Sequence, residues 1–275
     1  MSFNLDGPVL LAGAGKMGAA MLSGWLARGL DPSNVIIQEP NIAGEAAELA
    51  KRHNIAVYPS VPALPAPPAV IVAAVKPQVM DAVFPPLGKL AGPGTVVLSI
   101  AAGKSIASFE KHLKPGVGVV RAMPNTPAAI GRGISGAVAN THVSAAQKAT
   151  CDALLSAVGE VVWVDDESLI DAVTAVSGSG PAYVFLLAEC LAEAGRAAGL
   201  DATLAMQLAR ATVTGAGELM HRSPLPAATL RQNVTSPGGT TAAALNVLMR
   251  TPGGLQDLMT EAVAAAKERG RELGS

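Results

Sequence analysis

A short apolar run that opens into a glycine-rich turn limits the folds open to this chain more than any other feature. Residues 8–12 are typical of a buried strand, and a helical pattern follows over residues 19–28. In such a unit the first glycine permits a tight turn, the second lets a pyrophosphate approach, and the third lets the helix pack on the strand. We therefore predict a dinucleotide-binding turn, with a chance glycine turn as the alternative. Its residues are Gly13, Ala14, Gly15, Lys16, Met17 and Gly18.

Apolar runs alternate with helix-compatible segments through the first 164 residues. This alternation predicts a mostly parallel sheet, and hence an α/β domain with a Rossmann-like, doubly wound sheet. The predicted strands are residues 35–38, 70–75, 96–100, 117–121, 134–139 and 160–164, and the clearest helices are residues 42–52, 106–113 and 145–158. Ligands bind such sheets beyond the carboxyl ends of the strands. Two of these ends supply candidate cofactor-lining residues, although each taken singly is also an ordinary loop: Ala74, Val75, Lys76 and Pro77, and Met123, Pro124 and Asn125.

Glu39 closes the second predicted strand, about 21 residues after Gly18. An acidic side chain here commonly accepts hydrogen bonds from the adenosine ribose, which favours NAD(H) and repels the additional phosphate of NADP(H). The next basic residues are Lys51 and Arg52. The alternative is a solvated side chain at a strand end.

The pattern changes after residue 166, and only helices are predicted from there on. They occupy residues 168–176, 181–198, 202–221, 227–234, 240–250 and 255–273. We therefore predict two domains, a dinucleotide-binding domain over residues 1–164 and an all-helical domain over residues 165–275. The helix over residues 181–198 is apolar on nearly every face, which is typical of a buried helix. A domain of ~110 residues is too small to bury such helices alone, so we predict that it dimerises.

Composition excludes several other classes of protein. The formal net charge is -1, which gives no basic surface for nucleic acid. Hydrophobic residues make up 50% of the chain, yet no uninterrupted apolar stretch reaches the ~18–20 residues that span a bilayer, so no membrane partner is expected. The first residues lack a signal-peptide pattern, and Cys151 and Cys190 are too few for a disulfide framework. We therefore expect a cytoplasmic protein with inert thiols, and we predict no metal site.

A second glycine-containing loop leads into a helix near the end of the chain. Free amide N–H groups at a helix start form a cradle for a small carboxylate, although an ordinary turn with a helix cap is the alternative. The loop residues are Ser236, Pro237, Gly238, Gly239, Thr240 and Thr241.

The helical half contains few groups able to move a proton. Oxidation of an alcohol requires a positioned Lys, His or Tyr, and this half has only Lys267, His221 and Tyr183, each with an ordinary surface or core interpretation. β-Hydroxyacid dehydrogenases usually carry a Lys followed three or four residues later by Asn, and no such pair occurs after residue 165. Hydride addition to a protonated C=N bond needs orientation more than proton transfer. The loop ending at Thr241 is sufficient for such a reaction, because the backbone N–H groups from Gly239 to Thr241 can hold a carboxylate and a hydroxyl can bond the imine nitrogen.

Five motifs together resemble the pyrroline-5-carboxylate reductases, and they span nearly the whole chain in the order of that family. They are the glycine turn, residues 74–78, residues 123–127, residues 177–183 and residues 233–241. The resemblance implies reduction of Δ1-pyrroline-5-carboxylate to L-proline by NADPH or NADH, the final step of proline biosynthesis. It also implies a homodimer through the C-terminal domain, with assembly into a larger homo-oligomer left open.

The resemblance also implies roles for single residues. The glycine turn holds the pyrophosphate, Ala74 to Pro77 and Met123 to Asn125 line the cofactor path, and Ser236 to Thr241 bind the substrate, with the Thr241 hydroxyl nearest the ring nitrogen. Ser179, Pro181 and Ala182 wall the nicotinamide side. Family members generally favour NADPH, whereas Glu39 favours NADH, so the preference stays open. A related imine or β-hydroxyacid dehydrogenase and a non-catalytic dinucleotide sensor are the alternatives.

Overall fold

The chain divides into two compact units by its internal packing. The computed structural model describes Phe3 and residues 5–274. Unit 1 contains the described residues up to Gly178 together with those from Ala266 onward, and unit 2 runs from Ser179 to Ala265. The predicted domain boundary lay between residues 164 and 165. The division differs from it because residues 165–178 pack on the sheet and belong to unit 1. The functional division into residues 1–164 and 165–275 remains a proposal.

A single eight-stranded sheet organises the described part of unit 1, in the order β3-β2-β1-β4-β5-β6-β7-β8. Neighbouring strands are parallel except β6 and β7, which are antiparallel. The predicted α/β class with a Rossmann-like sheet is thereby confirmed. The strands are β1 (Val9–Ala12), β2 (Val35–Gln38), β3 (Ala56–Tyr58), β4 (Val70–Ala73), β5 (Val96–Ser99), β6 (Gly118–Met123), β7 (Gly133–Ala139) and β8 (Gly159–Trp163).

Helices cover both faces of this sheet. They are α1 (Lys16–Ala27), α2 (Gly44–Arg52), α3 (Pro77–Gly88), α4 (Ile106–Glu110), α5 (Ala145–Ser156) and α6 (Ile170–Val173), with 3₁₀ turns at Pro32–Asn34, Thr126–Ile130 and Glu167–Leu169 and a π-helical turn at Thr174–Gly178. Ser144 caps α5 as predicted, because its hydroxyl accepts from the Gln147 N–H while the Gln147 side chain accepts from the Ser144 N–H. Sequence reasoning missed α3 and β3.

The core lies in two layers, one on each face of the sheet. Trp25 of α1 packs in one layer and donates its indole N–H to the Leu154 carbonyl of α5 at 2.9 Å. Phe84 of α3 and Phe109 of α4 pack edge to face in the other layer, with ring centroids 4.7 Å apart. Strands buried on both faces read as continuous apolar runs, which explains why the sequence predicted them well.

Unit 2 is entirely helical in its regular structure. Asp201 caps α8 as predicted, with its carboxylate accepting from the Thr203 and Leu204 N–H groups at 3.0 Å each. The buried contact between the first two helices is made by small side chains, namely Ala192, Ala205 and Ala209. The helices are α7 (Gly180–Ala197), α8 (Ala202–Arg222), α9 (Ala227–Asn233), α10 (Thr240–Leu248) and α11 (Leu255–Gly274), of which the last ends in unit 1.

The large apolar side chains of α7 are exposed in the single chain. Phe185, Leu186 and Leu187 are 62%, 56% and 51% exposed. The burial expected for this helix is therefore not supplied within one chain. Among the described residues, one helical stretch, Glu167–Ala197, is long and apolar enough to cross a membrane by length and composition alone. An apolar helix that packs against another protein chain meets the same test.

Candidate active site

The glycine turn is held tightly against the end of β4. Gly13 has a φ of 93°, and its N–H donates to the Gln38 carbonyl at 2.9 Å. A Cβ added at Gly13 would lie 2.7 Å from the Ala74 carbonyl carbon and oxygen. A Cβ added at Gly18 would collide with the Gly13 carbonyl oxygen. Both glycines are therefore required by the backbone itself, as the sequence predicted.

Gly15 differs from the other two glycines because the protein around it is open. A Cβ added there would meet no atom within 4 Å. Gly15 precedes α1, and the first helical bond runs from the Ala19 N–H to the Gly15 carbonyl, so the N–H groups of Lys16, Met17 and Gly18 have no acceptor within the helix. An open backbone position beside free amides fits a pyrophosphate, for which the helix start supplies positive potential.

Glu39 faces the same turn. Its Oε2 accepts from the Ala14 N–H at 3.0 Å, and its Oε1 accepts from the Asn41 N–H at 3.1 Å. Its own N–H donates to the Tyr58 carbonyl, which fixes the residue between β2 and β3. The structure thus brings Glu39 together with the glycine turn.

The end of β4 runs directly into a helix. The Ala74 N–H donates to the Ala12 carbonyl at 2.7 Å, which continues the pairing of β4 with β1 beyond the last strand residue. Val75 and Lys76 form the connection, and Pro77 is the first residue of α3. Proline suits that position because its missing N–H would have no helical acceptor there.

Hydrogen bonds connect the residues after β6 to two other segments of unit 1. Met123 is the last strand residue and Pro124 follows it, while the Asn125 side chain is bonded to Ile134 and to Ser177. The side chain of Asn125 is thus engaged with protein groups, which the sequence did not predict.

A buried ion-pair cluster at β6 also escaped sequence reasoning. Arg121 Nη1 lies 2.9 Å from Glu167 Oε1, and Arg121 Nη2 lies 3.5 Å from Asp171 Oδ1. Glu167 also accepts from the Ile106 N–H at 2.8 Å, at the start of α4. The only signal in the sequence was a lone arginine in an apolar strand. This cluster anchors residues 167–171 to the sheet.

The second predicted loop lies in unit 2 and leads into α10. Gly238 has a φ of 70°, and the Gly239 N–H donates to the Ser236 carbonyl at 3.0 Å. The first bond of α10 runs from the Ala243 N–H to the Gly239 carbonyl. The amides without an acceptor within the helix are therefore those of Thr240, Thr241 and Ala242, one residue later than the Gly239 to Thr241 set expected from the sequence.

The segment before α7 matches its predicted local structure. Ser179 precedes the helix and accepts from the Ala182 N–H at 3.0 Å, while Pro181 lies in the first turn. These residues belong to unit 2, as does the loop before α10.

A cavity of about 520 Å³ lies at the opposite end of the strands, near the amino ends of β4 and β5. Pro67, Thr95 and Gln147 are among its lining residues, and none of the predicted site residues is. The candidate site is therefore defined by the strand ends and not by this cavity.

Within the part of the chain that the structure describes, no group of three or more His, Cys, Asp or Glu side chains could hold a metal ion. The mostly parallel sheet, the glycine turn and the open Gly15 define a dinucleotide-binding protein of the Rossmann-like class.

Comparison with known proteins identifies the family. A family described as "Pyrroline-5-carboxylate reductase dimerisation" matches residues 167–273, and one described as "NADP oxidoreductase coenzyme F420-dependent" matches residues 9–103. The pyrroline-5-carboxylate reductase of Pseudomonas aeruginosa is 42% identical over 265 residues, which are 96% of each chain. The chain belongs to the pyrroline-5-carboxylate reductase family, and the resemblance found in the sequence is confirmed.

Solved structures agree with this assignment. A reductase from Coxiella burnetii matches with a TM-score of 0.90 and 34% identity, covering 98% of this chain and 99% of that one. The Plasmodium falciparum enzyme, solved with NADP bound, matches with a TM-score of 0.81 and 28% identity over 100% of both chains.

Proposed function

We propose that this chain reduces Δ1-pyrroline-5-carboxylate to L-proline with NADPH or NADH, as the last step of proline biosynthesis. The observation that carries the proposal is the 42% identity to a pyrroline-5-carboxylate reductase over 96% of both chains. The substrate is thus a small molecule. The alternatives of a hydroxyacid dehydrogenase and of a dinucleotide sensor are not favoured.

In this proposal the residues of unit 1 hold the cofactor. Gly13 to Gly18 bind the pyrophosphate through the open backbone at Gly15, and the strand ends at Ala74 to Pro77 and Met123 to Asn125 border the path of the cofactor. The bound nicotinamide supplies the hydride. Ser179, Pro181 and Ala182 border the nicotinamide.

The loop before α10 holds the substrate in this proposal. The amides of Thr240, Thr241 and Ala242 donate to its carboxylate, and Ser236 to Gly239 shape the turn. The Thr241 hydroxyl forms a hydrogen bond with the ring nitrogen and thereby orients the ring. The hydride adds to the ring carbon of the C=N bond, and the electron pair of that bond moves to the protonated nitrogen, which becomes the amine of proline. No proton transfer from the protein is required in that step, in keeping with the scarcity of Lys, His and Tyr in the helical half of the chain.

Two Thr241 variants test the role of the hydroxyl. Thr241→Ala should lose roughly 1–3 kcal/mol of transition-state stabilisation, because one hydrogen-bond partner is removed. Thr241→Ser keeps the hydroxyl and should retain most of kcat/KM. Oxidation of NADPH and of NADH is followed by absorbance after pyrroline-5-carboxylate is added. Equal kcat/KM for the alanine variant and the wild type would exclude the role of Thr241, and no turnover by the wild type would exclude the function.

Glu39 is proposed to set the cofactor preference. Its fixed carboxylate accepts from the ribose diol of NADH and repels the 2′-phosphate of NADPH. Glu39→Gln removes the charge and retains one acceptor oxygen for the turn, whereas Glu39→Ser removes both oxygens. We expect both variants to shift the ratio of kcat/KM values toward NADPH. An unchanged ratio in both would show that the carboxylate does not contact the ribose.

The homodimer is proposed to form through the C-terminal helical domain, residues 165–275. Its exposed apolar side chains and the family description as a dimerisation domain support this assignment. A larger homo-oligomer and the cytoplasmic location are further parts of the proposal.

A further inference from the structure

Asn125 bridges three segments of unit 1 with its side chain. Its Oδ1 accepts from the Ile134 N–H at 3.0 Å, near the start of β7, and its Nδ2 donates to the Ser177 carbonyl at 3.1 Å. The residue is only 9% exposed. A buried amide whose donor and acceptor both bond the backbone is suited to holding segments together, and less suited to binding a cofactor directly.

Two glycines allow the same segments to approach closely. Gly136 of β7 pairs with Met123 of β6, and a Cβ added at Gly136 would lie 2.5 Å from Val173 Cγ1. A Cβ added at Gly178 would lie 2.7 Å from Met123 Cε. The helical segment that ends at Gly178 therefore packs closely on the end of β6 and on β7, and Gly136 leaves no room for a larger residue beside Val173.

The segment held in this way is the π-helical turn Thr174–Gly178. Within it, the Ser177 hydroxyl donates to the Val173 carbonyl at 2.9 Å, and the Thr174 hydroxyl donates to the Ile170 carbonyl at 2.7 Å. π-Helical turns are rare and occur frequently at functional sites. The Ser177 carbonyl at the end of the turn receives its bond from Asn125, which is 52 residues away in the chain.

We propose that Asn125 is a positioning residue for the reduction, which acts by fixing the turn Thr174–Gly178. The next residue is Ser179, assigned above to the nicotinamide wall, so a displaced turn moves that wall. Asn125 borders the cofactor path, but in this inference its side-chain amide affects hydride transfer through the turn and not through a bond to the cofactor. This inference rests on the proposed function, and the experiment below separates the two.

The test compares Asn125 with a matched asparagine at the other end of β7. Asn140 follows that strand, where its Oδ1 accepts from the Val119 N–H at 3.0 Å and its Nδ2 donates to Glu110 Oε1 at 2.8 Å. The variants are Asn125→Ala, Asn125→Asp and Asn140→Ala in the full-length chain. Asn125→Asp keeps an acceptor for Ile134 and loses the donor to Ser177, so it isolates the bond to the turn and provides a milder change if the alanine variant fails to fold.

Three readouts separate positioning from general stability. Because small misplacements of reacting groups are costly, we expect both Asn125 variants to lower kcat about tenfold or more. The Kd of NADPH without substrate, measured by fluorescence titration, should stay within about twofold of the wild type because no cofactor contact is lost. Amide hydrogen exchange over residues 174–180 should rise in both Asn125 variants and not in Asn140→Ala. Asn140→Ala should lower Tm yet leave kcat unchanged.

An unchanged kcat in the Asn125 variants, or unchanged exchange over residues 174–180, would overturn the inference. A raised Kd of NADPH with an unchanged kcat would also overturn it, and would make Asn125 a cofactor-binding residue. Wild-type protein that does not reduce pyrroline-5-carboxylate would overturn the proposed function, and with it the effect on catalysis. The exchange measurement would then still decide whether Asn125 holds the turn.

Discussion

Unit 1 and unit 2 bury their large side chains to very different extents. Phe84 in unit 1 is 1% exposed and packs on Phe109, whereas Phe185 in unit 2 is 62% exposed. The buried hydrophobic residues of unit 2 are alanines, namely Ala192, Ala205 and Ala209. Exposed apolar surface of this extent marks an interaction site. The difference indicates that unit 1 forms a complete core by itself, whereas unit 2 leaves large apolar side chains exposed, in keeping with the homodimer proposed above.

The largest expected effect comes from the core of unit 1. Phe84→Ala should reduce the free energy of unfolding by about 3–5 kcal/mol, because it leaves a cavity against Phe109. Denaturant unfolding at two protein concentrations measures this loss, which should not depend on concentration if unit 1 is self-sufficient. A loss below about 1 kcal/mol would show that the layer containing Phe84 is loosely packed.

A smaller and concentration-dependent effect is expected from the matched phenylalanine in unit 2. Phe185→Ala should weaken self-association by about 2 kcal/mol, or roughly 30-fold in the dissociation constant, if the side chain is buried against a partner chain. Analytical ultracentrifugation over a dilution series measures the constant. The same association in variant and wild type would show that the partner chain does not cover this part of α7.

The smallest expected effect is the pH dependence of stability that comes from the buried Cys151. Burial, and to a lesser degree the Asp152 carboxylate, raises the pKa of the Cys151 thiol to about 12. Above pH ~9 the thiol ionises in the unfolded chain and stays protonated in the folded chain, so Cys151 lowers stability as the pH rises. Between pH 9 and 10 this contribution falls by up to about 1.4 kcal/mol.

A Cys151 variant isolates that contribution from other titrating groups. The stability advantage of wild type over Cys151→Ala should shrink by roughly 1.4–1.9 kcal/mol between pH 8 and pH 10, measured by denaturant unfolding. A wild-type advantage over Cys151→Ala that does not change between pH 8 and pH 10 would contradict the burial of Cys151.

Most of the fold of unit 1 was predictable because its strands are short apolar runs between clear turn signals. The two missed elements have local reasons. α3 contains Pro85 and Pro86, which resemble a helix break, and β3 has only three residues with half-exposed or exposed side chains. The exposure of α7 in a single chain agrees with the expectation that a domain of ~110 residues is too small to bury such a helix. The apolar pattern of the helix alone does not distinguish burial in its own chain from burial against a partner.

In the candidate site, contacts between sequence neighbours were predictable and contacts between distant residues were not. The glycine turn was predictable because its chemistry lies within six consecutive residues, and the structure gives Gly13 the positive φ and Gly18 the close packing expected there. The contacts of Asn125 and Arg121 were not predictable, because their partners in the helical segment lie 52 and 46 residues away. Sequence patterns report neighbours along a helix or strand, whereas these bonds depend on the tertiary fold.

Transfer of a labelled hydride tests the central claim most directly. The full-length protein is incubated with pyrroline-5-carboxylate and with NADPH or NADH that carries deuterium at both C4 positions of the dihydronicotinamide, and the product is analysed by mass spectrometry. The account predicts L-proline with one deuterium, on the ring carbon that formed the C=N bond. No proline, or proline without deuterium from either cofactor, would contradict the assignment of this chain as a pyrroline-5-carboxylate reductase.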